Sequence, residues 1–296
     1  MRSPPESSGD FVVDVASGLC AEIFRMSESY APTPLFDQPP KRVNVAAVSV
    51  AAAFESYYRS TMNTILNARL LGTSVPATFF PNMHVQIPTR VAYINGFKML
   101  RQHLSDWCHA VDQGSTAFHL GLVPALLPGV LMTPVSSILE ACNAGHANPE
   151  PLLRRAARGV VPRTAREVIF GLGLNNLADF CEECVPPDVA SSKFARNALG
   201  SMVAGVFAGY FSHVPHNLST LKLMQPNVKY ADHWRALVDH ARVNRLPAAL
   251  PEPQARLLAT GLAIFVPAGL AIRTTQIVGS FCLINGIANY LVLDEA

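Results

Sequence analysis

The sequence predicts an all-α membrane protein, with six transmembrane helices in three pseudo-repeats and short surface helices between them. Three observations lead there. Half of the 296 residues are hydrophobic, 15% are charged and the mean hydropathy is +0.23, whereas a soluble domain carries about a quarter charged residues. Stretches nearly free of charge recur along the chain, several long enough to cross a hydrocarbon core, which takes about 20 residues. The chain also matches itself in three places.

The elements follow in order. Residues 11–26 carry Asp14, Glu22 and Arg25, and residues 88–104 carry Arg90, Lys98 and Arg101. Charges inside a span face a bundle interior or a cavity, so both segments read as membrane helices with polar inner faces. An amphipathic soluble helix is the alternative for each. Between them, residues 41–71 form a polar or mixed segment with an amphipathic surface helix over 43–70. Residues 115–139 form an uncharged span, and 145–158 a second surface segment. A fourth span begins at Gly159, and 199–221 is the fifth. Residues 225–256 form an enlarged third surface segment with a helix over 232–245. The apolar run 257–293, interrupted only by Arg273, has room for a short helix and a longer one.

Laying Gly159-Val-Val-Pro162-Arg163-Thr-Ala-Arg166 over Gly269-Leu-Ala-Ile272-Arg273-Thr-Thr-Gln276 keeps Gly, Arg and Thr in register. Without a gap, Asn175 then falls on Asn285, and Asn95 makes a third copy. The apolar spans before the surface segments match through Leu131-Met-Thr-Pro134-Val-Ser136 and Phe211-Ser-His-Val-Pro215-His-Asn217, with a weaker first copy at Tyr30-Ala-Pro32-Thr-Pro34. The repeats are then 11–104, 115–184 and 195–293, one carrier of two spans each, within a single domain over 1–296.

Several function classes fall away. A net charge of +2 is too small for a nucleic-acid field, and no basic stripe interleaved with aromatics occurs, so nucleic acid is not expected as a partner. The six cysteines lack framework spacing. Residues 1–10 are polar, with neither a secretory signal nor an Arg-rich presequence, so any import signal is expected to be internal. Cys181-Glu-Glu-Cys184 stands alone, and its two glutamates would raise a thiol pKa, so neither metal nor redox work is expected of it. His213 and His216 flank Pro215 at the end of an apolar span, a place for helix capping. No Gly-x-Ser-x-Gly, phosphate loop or HExxH is present, and no enzyme is expected. Arg90, Arg163, Arg166 and Arg273 are the candidates for function inside a bundle: they face an anionic solute in a cavity, or pair with acids such as Glu167, or meet lipid headgroups.

Ala157-Arg158-Gly159-Val-Val-Pro162-Arg163-Thr-Ala-Arg166-Glu167, Pro88-Thr-Arg90-Val-Ala-Tyr93, and Gly200-Ser-Met-Val-Ala204-Gly205 running into Ser212-His-Val-Pro215 together resemble the mitochondrial carrier family over about residues 11–293. The resemblance implies six spans in the mitochondrial inner membrane, with the surface helices on the matrix side. It also implies a signature after each odd-helix proline, Pro-x-acid-x-x-base, whose ion pairs close the matrix gate. Here Pro134 is followed by Ser136, Leu139 and Asn143, and Pro215 by Asn217 and Thr220, with Lys222 at the second basic position. A second gate would fall at Leu100-Arg101, Phe180-Cys181 and Tyr290-Leu291, again without acids. By the same resemblance, bound cardiolipin would sit at helix N-termini, with Arg158 and Gly159 as one site and Gly72 as a poorer one; no other cofactor is implied. A carrier plan without its charged gates implies a non-transporting accessory subunit of a large inner-membrane complex, a respiratory complex or the ATP synthase. The alternative is a divergent carrier for a small anionic solute, gated by Ser136, Asn143, Asn217 and Thr220.

Overall fold

The computed structural model describes residues 33–36, 40–111, 117–143 and 151–293. Their regular structure is entirely helical. It comprises α1 (Val45–Leu71), α2 (Met83–Val111), α3 (Ala117–Asn143), α4 (Leu152–Ala157), α5 (Val160–Leu172), a π-helical turn (Gly173–Leu177), α6 (Ala178–Glu183), α7 (Lys193–Phe211), α8 (His213–Met224), α9 (Tyr230–Arg245), α10 (Glu252–Phe265) and α11 (Leu270–Leu293). The π turn joins α5 to α6 without a break. α7 and α8 form one bent element, divided at Ser212, whose ψ is −3°. Pro215 causes that bend, because it has no N–H to return to the Phe211 carbonyl and its ring crowds that carbonyl.

Six long rods result: α1, α2, α3, α5 with α6, α7 with α8, and α11. Each packs on the next, and the sixth packs on the first, so they close a ring. The chain reverses direction between consecutive rods. The connections carrying α4 and the α9–α10 hairpin therefore lie at one end of the ring, termed the hairpin end. Residues 33–36 and 40–44 lie at the opposite end, where the Asn176 amide donates to the Leu35 carbonyl at 3.2 Å. The hairpin has a small core of its own, Val238 and Ala241 against Ala259 and Ala263.

The first rod corrects the sequence reading. Residues 43–70 were expected as a surface helix, and α1 is instead a 27-residue member of the ring. Its amphipathicity is inverted: Glu55, Ser56, Ser60, Asn63 and Thr64 are buried, while Val45, Val50, Phe54 and Tyr57 are exposed. The first span expected at 11–26, and Pro32 with it, lie outside the described residues. Pro34 lies before α1 in no helix. Elsewhere the elements lie close to their expected places, including α9 over the expected 232–245 and the division of 257–293 into α10 and α11. Gly121–Asn143 and Glu252–Leu291 are long and apolar enough to cross a membrane. The second of these holds two helices, parted at Gly269, whose φ is +80°.

Small residues set how closely the rods approach. A Cβ on Gly129 would stand 2.5 Å from the Val168 Cα, and one on Gly205 2.7 Å from the Val278 Cα. Val168 and Val278 are equivalent in the register that aligns Gly159 with Gly269, so the third and fifth rods meet their partners at Gly129 and Gly205. The Thr133 hydroxyl likewise donates to Thr164 at 3.3 Å, and Gly209 abuts Thr274. These contacts correct the proline overlay: Thr133 corresponds to Gly209, so Pro134 and Pro215 are not equivalent. Pro134 is exposed on the outer face of α3. Gly205→Ala would force α7 off α11 at backbone level. Overpacking of this kind costs about 1–3 kcal/mol, and the thermal unfolding midpoint of the variant in detergent should fall accordingly.

Candidate functional site

The middle of the ring is filled. Tyr93 and Phe97 from the second rod, Phe170 from the fourth and Phe281 from the sixth are buried together with Met132, Leu174, Ile277 and Ile284. Phe97 and Phe170 meet edge to face with centroids 5.9 Å apart, and Phe170 and Phe281 at 5.3 Å. These three rods are not neighbours in the ring, so the aromatic contacts cross its axis and form a plug. A polar layer lies on each side of it.

At the hairpin end, Arg90 forks onto Glu55, with Nε to Oε2 at 2.6 Å and Nη2 to Oε1 at 2.7 Å. Glu55 also accepts from Ser280 of the sixth rod and lies 3.4 Å from Arg59. Glu140 of α3 takes Arg163 Nε at 2.8 Å and pairs with Arg166. Arg166 pairs with Glu167 as well, and Glu167 accepts the Tyr93 hydroxyl. Ser219 donates to Glu140 at 3.1 Å, which ties in the fifth rod. Arg273 donates to Gln276 at 2.6 Å, and Gln276 donates to Asn63 of α1 at 2.6 Å. A cavity of about 30 Å³ opens within this layer, lined by residues that include Arg59, Asn63, Arg90, Glu140, Arg166 and His216. That is more than the roughly 10–15 Å³ that a single water needs.

At the opposite end a cavity of about 70 Å³ is lined by residues that include Lys41, Lys98, Arg101, Asn175, Asp179 and Asn285. Arg101 pairs with Asp179 at 2.9 Å, and Lys41 spans Asp179 at 2.8 Å and Glu182 at 2.7 Å. Two of the three register asparagines make the same contact with a serine of the preceding rod, Asn95 to Ser49 and Asn285 to Ser201, both at 3.0 Å. Burial opposes the Lys41 charge, but the Asp179 and Glu182 carboxylates outweigh it and hold the ammonium above its ordinary value of 10.5. A raised lysine contributes stability that is fully present below its unfolded value and is lost as the pH rises through the folded one. The difference in unfolding midpoint between wild type and Lys41→Met should therefore stay constant up to pH 10 and shrink above 10.5; a difference that shrinks below pH 9 would sink this account.

The four candidate arginines converge on one layer, and the acids that answer Arg90, Arg163 and Arg166 lie away from the signature positions. Glu55 and Glu140 supply carboxylates on α1 and α3, away from the positions of the family signature, and Asp179 immediately precedes the Phe180-Cys181 position of the implied second gate. Arg90, Arg163 and Arg166 are paired within the chain, not held open for a solute. Of the signature-like residues, Ser136, Asn143 and Thr220 line the hairpin-end cavity. Asn217 is buried with its amide 3.5 Å from the Ala268 carbonyl, behind that cavity. Lys222 is no gate residue: its ammonium donates to the Pro226 and Val228 carbonyls at 2.8 and 2.7 Å and clamps the turn before α9.

The expected lipid sites change in the same way. Gly72 has φ +66° and caps the C-terminus of α1, where carbonyls gather and a phosphate is repelled. Gly159 does precede the N-terminus of α5, with φ +71°. His213 does not cap a helix end as expected; it is buried with Nε2 2.9 Å from the Ala268 carbonyl. Cys181 and Cys184 are both buried. Comparison with known proteins finds no matching family model, no matching curated protein and no matching solved structure.

Proposed function

We propose that the chain is a multi-pass membrane protein of six spans in three pseudo-repeats. It acts as a non-transporting structural subunit of a large mitochondrial inner-membrane complex, a respiratory complex or the ATP synthase. The membrane reading is supported by inverted burial. Glu55, Gln86, Arg90, Arg163 and Arg273 lie inside, while Val130, Leu131, Met202, Tyr210 and Phe211 lie outside; ionisable groups face inward when the solvent is hydrocarbon. Two segments are long and apolar enough to cross, and the other rods gain enough length, about 1.5 Å per residue, to do so with their polar faces inside. The mitochondrial location rests on the family resemblance in the sequence.

The plug carries the non-transporting reading. Alternating access requires a path through the centre in each of two states of comparable free energy, and here packed aromatic rings occupy it. Native electrophoresis of gently solubilised mitochondrial membranes tests the proposal. Migration with a megadalton complex is the expected result, and migration as a free species of the chain's own mass with its detergent would overturn it.

One observation favours the second reading, a divergent carrier for a small anion. Polar, cation-rich cavities lie on both sides of the plug, lined by Arg59, Arg90 and Arg166 at one end and by Lys41, Lys98 and Arg101 at the other. Uptake of anionic solutes by liposomes bearing the purified chain would establish it.

A further inference from the structure

The two helices of the hairpin are exposed in opposite ways. α9 buries His233, Val238 and Ala241 and shows Asp232, Arg235, Asp239, Asn244 and Arg245 at its surface, with Tyr230 and Val243 among them. α10 fully buries only alanines: Ala255, Ala259 and Ala263 are 2%, 0% and 4% exposed, and Leu262 packs partly into the same hairpin core. Its other large apolar residues face away. Leu257 is 74% exposed, Leu258 49%, Ile264 44% and Phe265 62%, and a Cβ on Gly261 would meet nothing within 4 Å. These positions recur at helical spacing, so they form one apolar stripe along α10. A helix folded in water buries leucine and phenylalanine before alanine, because the gain grows with apolar area. α10 does the reverse, while α9 beside it follows the rule for water.

The place of α10 in the chain agrees. Only residues 266–269 separate it from α11, and the two share the apolar run Glu252–Leu291. The Arg245 guanidinium of α9 donates to the Val266 carbonyl and fastens the hairpin to that connection. The stripe thus prolongs the apolar run of the sixth rod at the hairpin end. Arg256 is exposed beside Leu257, and a charged head on a long apolar stem suits the level of lipid headgroups.

We propose, resting on the membrane reading above, that α10 is an interfacial helix. Leu257, Leu258, Ile264 and Phe265 lie in the headgroup–acyl boundary of the bilayer that the ring spans, and α9 lies on their water side. A bilayer accounts for the continuity of the stripe with the sixth rod, which a protein partner would not require. The polar surface of α9 is then the face of the hairpin open to a neighbouring subunit.

Nitroxide labels test this, one each at Leu257→Cys, Phe265→Cys, Arg235→Cys on α9 and Val130→Cys on the outer face of α3. The full-length chain is reconstituted into vesicles of phosphatidylcholine and phosphatidylglycerol, and the signal from labelled wild type is subtracted. Collision is read with dissolved oxygen, which concentrates among acyl chains, and with a water-soluble nickel chelate present on both sides. The oxygen-to-nickel ratio at Leu257 and Phe265 should stand several-fold above that at Arg235 and below that at Val130. Nickel access at Leu257 and Phe265 equal to that at Arg235, with Val130 still shielded, would overturn the proposal and leave the membrane reading standing. Nickel access at Val130 would overturn both. Spin–spin broadening at Leu257 or Phe265 that vanishes on dilution with unlabelled chain would place a second copy on the stripe, and would overturn the proposal as well. Leu258→Cys and Ile264→Cys, on the same stripe, give the same reading if either of the first two variants fails to fold.

Discussion

Replacing Phe170 with alanine is expected to lower the stability of the folded chain by about 3–5 kcal/mol, the range for removing a fully buried phenylalanine from a close-packed interior. Its ring is 1% exposed and stands between Phe97 and Phe281, with Tyr93 6.0 Å away. Arg59 and Arg90 also lie over it, 5.2 and 5.6 Å from the ring centroid, and those cation–π contacts disappear with the ring. Few atoms can move in to fill the space, because the plug is drawn from rods that the ring holds apart. Thermal and denaturant unfolding in detergent measure the loss. Phe170→Leu should recover part of it, whereas an alanine variant within about 0.5 kcal/mol of wild type would show that the rings do not bear on one another.

The second large effect is expected at Glu55, which is fully buried and accepts both arms of Arg90. Glu55→Gln keeps the shape but leaves Arg90 and Arg59 without that carboxylate. Breaking a buried pair from one side costs about 3–5 kcal/mol. Replacing both partners with methionine removes the stranded charge as well as the pair, so Glu55→Met with Arg90→Met should be more stable than Glu55→Gln alone. If the double variant loses as much as the sum of the two single ones, the pair does not act as a unit.

The uncharged rods were legible because a run without charge has one economical home, and the third, fifth and sixth rods lie where such runs occur. The first rod was not. A helical period reveals that Glu55, Ser56, Ser60 and Asn63 share a face, but it carries no sign, and a polar face turned to a ring interior has the same period as one turned to water. The arginines of the hairpin-end layer stood out as bases in apolar surroundings. Glu167 was legible beside Arg166, but Glu55 and Glu140 were missed because each lies on a different rod from the candidate arginines it pairs with, outside the signature positions. A signal did exist: Glu55 is the single acid of α1 and Glu140 the single acid of α3, and a solitary carboxylate in such a helix must find a cation. Proline misled the register of the odd rods. Pro134 lies on an outer face and Pro215 at a bend, so the two perform different work, whereas the glycines that touch a neighbouring backbone carry the true correspondence.

Closure of the ring also orders the chain's assembly in time. The sixth rod, α11, leaves the ribosome after the other five and must pack against the first, and Ser280 and Gln276 on it complete the hydrogen bonding of Glu55, Arg59 and Asn63 on α1. Until then α1 presents a carboxylate and a row of amides and hydroxyls with an open flank, for as long as the intervening residues take to be made. Contacts between distant parts of a chain form late and leave such surfaces open to wrong partners. Nascent chains arrested before α11 should therefore be held by a chaperone or degraded, and release should coincide with the arrival of the sixth rod.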